Sequence, residues 1–162
     1  MGENMSDKYI DILLQSLKKK EKVLTEIIRL DNIQKEQLEA ELGEVEDFDR
    51  TVEDKARCIE QLEQLDSGFQ KVYDRVAEEL KTNGAAYRDE IGQMKVLIQR
   101  VTDLSVEIQV QEARNKDLMT QKFSTVKQKA KSLRTSGKVA DQYYKNMLKL
   151  NNVDAQFMDN KK

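Results

Sequence analysis

The sequence predicts an all-α protein, an elongated antiparallel helical bundle or coiled coil of three long helices plus a short C-terminal helix. Three observations carry that expectation. Apolar residues recur every three or four positions along most of the chain, the period of a helix that buries one face. The 162 residues include no Pro and only six Gly, so few positions interrupt a helix. Charged residues make up 36% and hydrophobic ones 38%, against averages of roughly 25% and 45–50%. That is too little apolar surface for a thick globular interior, but enough for helices that each bury a single stripe.

The breaks fall at Gly43, Asn83-Gly84 and Ser136-Gly137. Before the first, Ile10, Leu13, Leu14, Leu17, Leu24, Ile27 and Ile28 form one stripe that continues weakly to Leu38. Asp31, Gln34 and Lys35 interrupt it, which predicts a looser last third. In the second segment the stripe runs from Phe48 through Val52, Ala56, Ile59, Leu62, Leu65, Phe69, Val72, Tyr73 and Val76 to Leu80. It keeps phase across Ser67-Gly68, so the helix is expected to survive that glycine at about 1 kcal/mol relative to Ala. The third carries Tyr87, Ile91, Met94, Ile98, Val101, Leu104 and Ile108, then Leu118, Met119, Phe123, Val126 and Leu133. Helices are thus expected near 7–40, 47–82 and 85–134, with residues 1–135 as the bundle and 136–162 as a C-terminal helix and tail.

Short connections place sequential helices antiparallel. Reflection about Asn83-Gly84 opposes Leu80 with Tyr87, Val76 with Ile91, Tyr73 with Met94, Phe69 with Ile98 and Ile59 with Ile108. Reflection about Gly43 opposes Ile28 with Ile59, Leu24 with Leu62, Leu17 with Phe69 and Leu14 with Tyr73. Both reflections use the same second-helix residues, which predicts continuous three-helix layers. They also set an acidic stretch against a basic one. Residues 36–66 hold 12 acidic and 3 basic groups, whereas residues 113–149 hold 10 basic and 2 acidic. This register puts Phe48 beside Met119 and leaves the third helix overhanging from about Gln121.

Composition removes most chemistry. There is no His, the commonest general base and transition-metal ligand. The one Cys, Cys58, can form neither an intramolecular disulfide nor a Cys-based zinc site. It has no activating partner and reads as a buried or half-buried small residue. Glu53, Glu60 and Glu63 stand at helical spacing, but Lys55 and Arg57 flank them on what reads as a solvated face, so no carboxylate pair is set apart for acid–base work. The acidic run from Glu41 to Asp49 does not have calcium-loop spacing, and no Gly-rich phosphate loop occurs. Met94 and Met119 read as core. The chain is therefore expected to be no enzyme and to need no metal or cofactor. No run of 18 apolar residues occurs, and Met1 to Tyr9 does not read as a signal peptide, so a soluble protein of a reducing compartment is expected.

The remaining signal lies at the C-terminal end. Lys127, Lys129, Lys131, Arg134 and Lys138 form a basic ridge, but no recognition motif accompanies it, the chain's formal net charge is −2, and an acidic partner is available internally. Nucleic-acid binding is not expected, nor is membrane insertion. Phe123, Val126, Leu133, Val139, Tyr143, Tyr144, Met147, Leu148, Leu150 and Phe157 have no assigned partners within the three-helix layers. Apolar and aromatic groups on such an overhang suit recognition of a partner helix. The alternatives are folding back to cap the bundle, or self-association into a homo-oligomer.

Over most of its length the chain resembles the FlgN-type flagellar export chaperones, in the form found in Gram-positive bacteria. The resemblance rests on the amphipathic first helix from Tyr9 to Leu38, on the Lys/Glu-rich stretch from Thr51 to Leu62, on Glu112-Ala-Arg-Asn-Lys-Asp-Leu118, and on the ending Phe157-Met-Asp-Asn-Lys-Lys162. It implies a cytoplasmic, non-enzymatic helical chaperone. Such a protein binds hook-associated (hook–filament junction) proteins, prevents their premature association and escorts them to the type III export gate. Client contact would fall on the C-terminal residues named above, and either Tyr143 or Tyr144 would correspond to a gate-contacting tyrosine. A coiled-coil scaffold or adaptor is the alternative reading, with a nucleic-acid-associated helical protein behind it.

Overall fold

The computed structural model describes residues 5–40 and 45–123, and every regular element among them is helical. Helix α1 spans Met5–Glu39 and α2 spans Val45–Thr82. A 3-10 turn at Gly84–Tyr87 leads into α3, Arg88–Phe123. The expected bounds of the first two helices hold to within two residues. The third differs in opening with the 3-10 turn, where Asn83 N–H donates to Glu79 O (2.8 Å) and Ala86 N–H to Asn83 O (3.0 Å). The stretch expected to carry the third helix on to residue 134, the short C-terminal helix and the boundary at 135/136 lie outside the described residues.

Local charges suit the helix ends. Asp7 sits in the first turn of α1 and Asp89 and Glu90 in that of α3, while Lys81 and Lys122 sit in the last turns of α2 and α3. Each stands where the macrodipole favours its sign. Lys122 does more. Its ammonium donates to Gln37 O (3.1 Å) and Ala40 O (2.6 Å), so α3 satisfies carbonyls that the end of α1 leaves without intrahelical partners. Helix α2 runs through Ser67-Gly68 without a break.

The buried stripes meet in three clusters along the bundle. The first joins Ile10, Leu13, Leu14 and Leu17 to Val76, Leu80, Tyr87, Ile91, Met94 and Leu97. In the second, Leu24 and Ile27 pack with Ile59, Leu62, Val101 and Ile108, and Ile28 lies against its edge. The third is small, Leu38 with Phe48 and Met119. The expected layers of Ile59 with Ile28 and Ile108, and of Phe48 with Met119, are both present. Because α2 runs antiparallel to its neighbours in sequence, α1 and α3 are parallel.

Two expectations need correction. The helix that packs closely on both others is α1; α2 and α3 make no close backbone approach to each other among the described residues. Hairpin reflections report register and not separation. Phe69, Val72, Tyr73 and Ile98 are only partly buried against the first cluster, in keeping with that separation. The last third of α1 also carries buried polar residues and not a solvated interruption. Asp31 and Gln34 are fully buried there, and Lys55, read from sequence as exposed, is only 3% exposed. Their mutual pairing makes this possible.

Candidate functional site

Every residue proposed from sequence as client-binding falls at or beyond the end of the described bundle. The backbone of Phe123 closes α3; Val126, Leu133, Val139, Tyr143, Tyr144, Met147, Leu148, Leu150 and Phe157 lie outside the described residues. The structure does place what leads into them. The third cluster, with Val52 and Leu118 packed against it, and the Lys122 clamp form the end of the bundle from which α3 delivers the chain.

Directly above that end lies a polar layer built by all three helices. Lys55 Nζ of α2 stands 2.8 Å from Asp31 Oδ1 of α1 and 2.5 Å from Glu112 Oε1 of α3. It also donates to Gln34 Oε1 at 3.0 Å. Asn115, fully buried, donates through Nδ2 to Asp31 O (2.9 Å) and Gln34 Oε1 (3.1 Å). Arg114 donates through Nε to Asn115 Oδ1 at 3.1 Å. Two carboxylates therefore face one ammonium in the interior. Burial is the main reason the Asp31 carboxyl is pushed up to about 8, with Glu112 adding to the effect and Lys55 opposing it. For Lys55 burial works against the charge, but Glu112 and Asp31 outweigh it and hold the ammonium above its ordinary range. A second cross-helix pair, Lys20 Nζ to Asp66 Oδ1 at 2.6 Å, lies between the first and second clusters. There, burial raises the Asp66 carboxyl against the pull of Lys20.

A raised carboxyl beside a second one is an acid–base signature when it faces a cavity. Here it faces packed helices. The surface grooves along α1 are lined elsewhere, one by Lys19, Lys22, Val23, Gln61, Gln64 and Leu65, another by residues around Gly92 and Val96. Glu53, Glu60 and Glu63 are exposed. Cys58 is half-buried and free, and burial raises its thiol further from the thiolate form a nucleophile needs. Among the described residues no group of three or more His, Cys, Asp or Glu could hold a metal ion, and no helix is long and apolar enough to cross a membrane.

Sequence reasoning missed this polar layer, although it quoted Asn115 and its neighbours as part of the family resemblance. A signal was available. The reflections that pair Leu24 with Leu62 and Ile59 with Ile108 also map Asp31 onto Lys55 and Lys55 onto Glu112. Applied to polar residues in the apolar phase, they bring an acid, a base and an acid to one level.

The family model described as "FlgN protein" matches residues 1–147. That match covers the whole described bundle and continues through Leu133, Tyr143, Tyr144 and Met147. Searches of curated proteins and of solved structures return no match.

Proposed function

The chain belongs to the FlgN family of flagellar export chaperones, and we propose that it binds hook-associated proteins in the cytoplasm, keeps them from associating early and escorts them to the export gate. The observation that carries this reading is the family match itself, which spans the bundle and extends past it into the aromatic C-terminal stretch. The chemistry is physical, with no covalent step, metal or cofactor. An amphipathic client helix, prone to self-association while its apolar face is exposed, buries that face against Phe123, Val126, Leu133, Val139, Tyr143, Tyr144, Met147, Leu148, Leu150 and Phe157. The all-helical bundle supports the reading because its apolar stripes are used in its own clusters, which leaves those residues as the largest unassigned apolar group. Tyr143 or Tyr144 would make the gate contact, and the same surface, when empty, would be the place where two copies associate.

Titrating the purified full chain with a hook-associated protein tests this directly. A saturable complex should form, and replacing Tyr143, Met147 and Leu150 together by Ala should weaken it about tenfold or more, because truncated apolar anchors dominate such interfaces. Absence of binding, or binding indifferent to the triple substitution, would contradict the assignment. Salt-dependent retention on DNA would instead favour a nucleic-acid role for the basic ridge.

A further inference from the structure

The third apolar cluster and the polar layer above it do not resemble the rest of the core. Among the described residues, the first two clusters along α1 bring together ten and six buried apolar residues, and the third three. Between the second and third, the interior is occupied by Asp31, Gln34, Lys55, Gln111 and Asn115, all buried, with Glu112 at their edge. The layer is held by close charge contacts more than by aligned hydrogen bonds. Neither Asp31 carboxyl oxygen accepts a well-aligned hydrogen bond among the described residues, and Gln34 Nε2 has no acceptor there.

We infer that the end of the bundle beyond this layer, residues 32–39 of α1 with 47–54 of α2 and 113–122 of α3, is a separate opening unit hinged on the Asp31–Lys55–Glu112 contacts. Among the described residues, three buried apolar side chains offset the ordering of three helical stretches, a thinner margin than in the other two clusters. Opening also returns water to a buried carboxyl and to an amide with no acceptor among the described residues, which lowers its cost further. An apolar layer would have no such gain on opening. The charged groups that meet there are Asp31 from α1, Lys55 from α2, and Glu112 and Arg114 from α3, so all three helices must part for the layer to be hydrated. The unit therefore opens as one body and not by fraying of single helix ends. Opening frees Leu38, Phe48 and Met119 at the end of the described bundle from which α3 leads to the proposed client contacts. The opening itself does not depend on the client reading.

Hydrogen exchange on the full chain without client tests it. The three distal stretches should share one level of protection, about tenfold or more below that of residues 12–28, 58–78 and 94–110, as expected for a sub-global unit. Replacing the layer together, D31L/K55M/E112L, should raise distal protection to the level of the rest. Should that variant not fold, Glu112→Gln, which removes one of the two carboxyl groups crowded on the buried ammonium, should narrow the gap in the same direction. The inference is overturned if core amides at both ends share one protection level. Graded protection that falls towards each helix end separately would also overturn it, as would a gap that these substitutions leave unchanged or widen.

Discussion

The two ends of this bundle are built on different principles. Towards Tyr9 and Tyr87 the helices meet through interlocking Leu, Ile, Val and Met, and polar contacts stay at the rim, as in the hydrogen bond from Tyr87 OH to Asp7 (2.9 Å) and the Arg75 guanidinium over the Tyr9 ring at 5.5 Å. Towards Leu38 the interior is ionic, and apolar packing resumes for only one small cluster. Apolar contacts tolerate shifts of partner, whereas Lys55 fits only where Asp31 and Glu112 converge. The apolar end supplies stability, and the ionic end sets which residues of the three helices lie at one level, at a cost in local stability.

The largest expected effect separates these roles. Lys55→Met leaves two buried carboxyl groups without their ammonium and should cost about 3–5 kcal/mol in denaturant unfolding, whereas D31L/K55M/E112L should be neutral or stabilising by about 1–4 kcal/mol. A single variant as stable as wild type would mean the layer is already hydrated. At the apolar end the sign never reverses. Ile59→Ala, in the layer with Leu24, Ile27, Leu62, Val101 and Ile108, should cost about 2–5 kcal/mol, and a cost below about half a kcal/mol would undo the register.

The ionic end should also make stability depend on pH. Asp31 holds its proton up to about 8 in the fold, against an ordinary value of 3.8, so the folded chain binds that proton more tightly than the unfolded one. The stabilisation is complete below the unfolded value and is lost as pH rises through about 8. Urea midpoints should therefore fall between about pH 5 and about pH 9. Asp31→Asn, which cannot ionise, should flatten that fall, leaving the smaller same-signed contribution of Asp66. A wild-type midpoint that rises over this range would contradict the assignment. The smallest effect lies at Gly68, where an added Cβ meets nothing within 4 Å. Gly68→Ala should raise stability by about 1 kcal/mol, the intrinsic helix preference of Ala over Gly.

How far the sequence could be read follows the same division. Apolar periodicity identified the stripes through Leu17, Leu62 and Met94, and two hairpin reflections placed Ile59 against Ile108 and Phe48 against Met119, because burial of an apolar side chain asks only for another apolar one. The ionic layer was hidden because Asp31 in an apolar phase is a defect when one helix is read alone and a contact only when three are superposed. Lys20, set between Leu17 and Leu24 in the same phase, was passed over for the same reason, although the reflection leads straight to Asp66. The central position of α1 was not legible either, since periodicity carries no information on interhelical distance. The candidate client contacts rest on apolar residues that the three-helix layers left unassigned, a criterion that picks out a segment and not single side chains.

On the proposed function, the bundle is a self-sufficient frame and the contact with the client lies past its end. Removing residues 138–162 from the full chain, and measuring both thermal unfolding and binding of a hook-associated protein, tests this most directly. The melting temperature should stay within a few degrees of the full chain, about what a change of 1 kcal/mol produces in a domain of this size, while binding is lost. A truncated chain that unfolds, or one that stays folded and binds the client at full affinity, would contradict it.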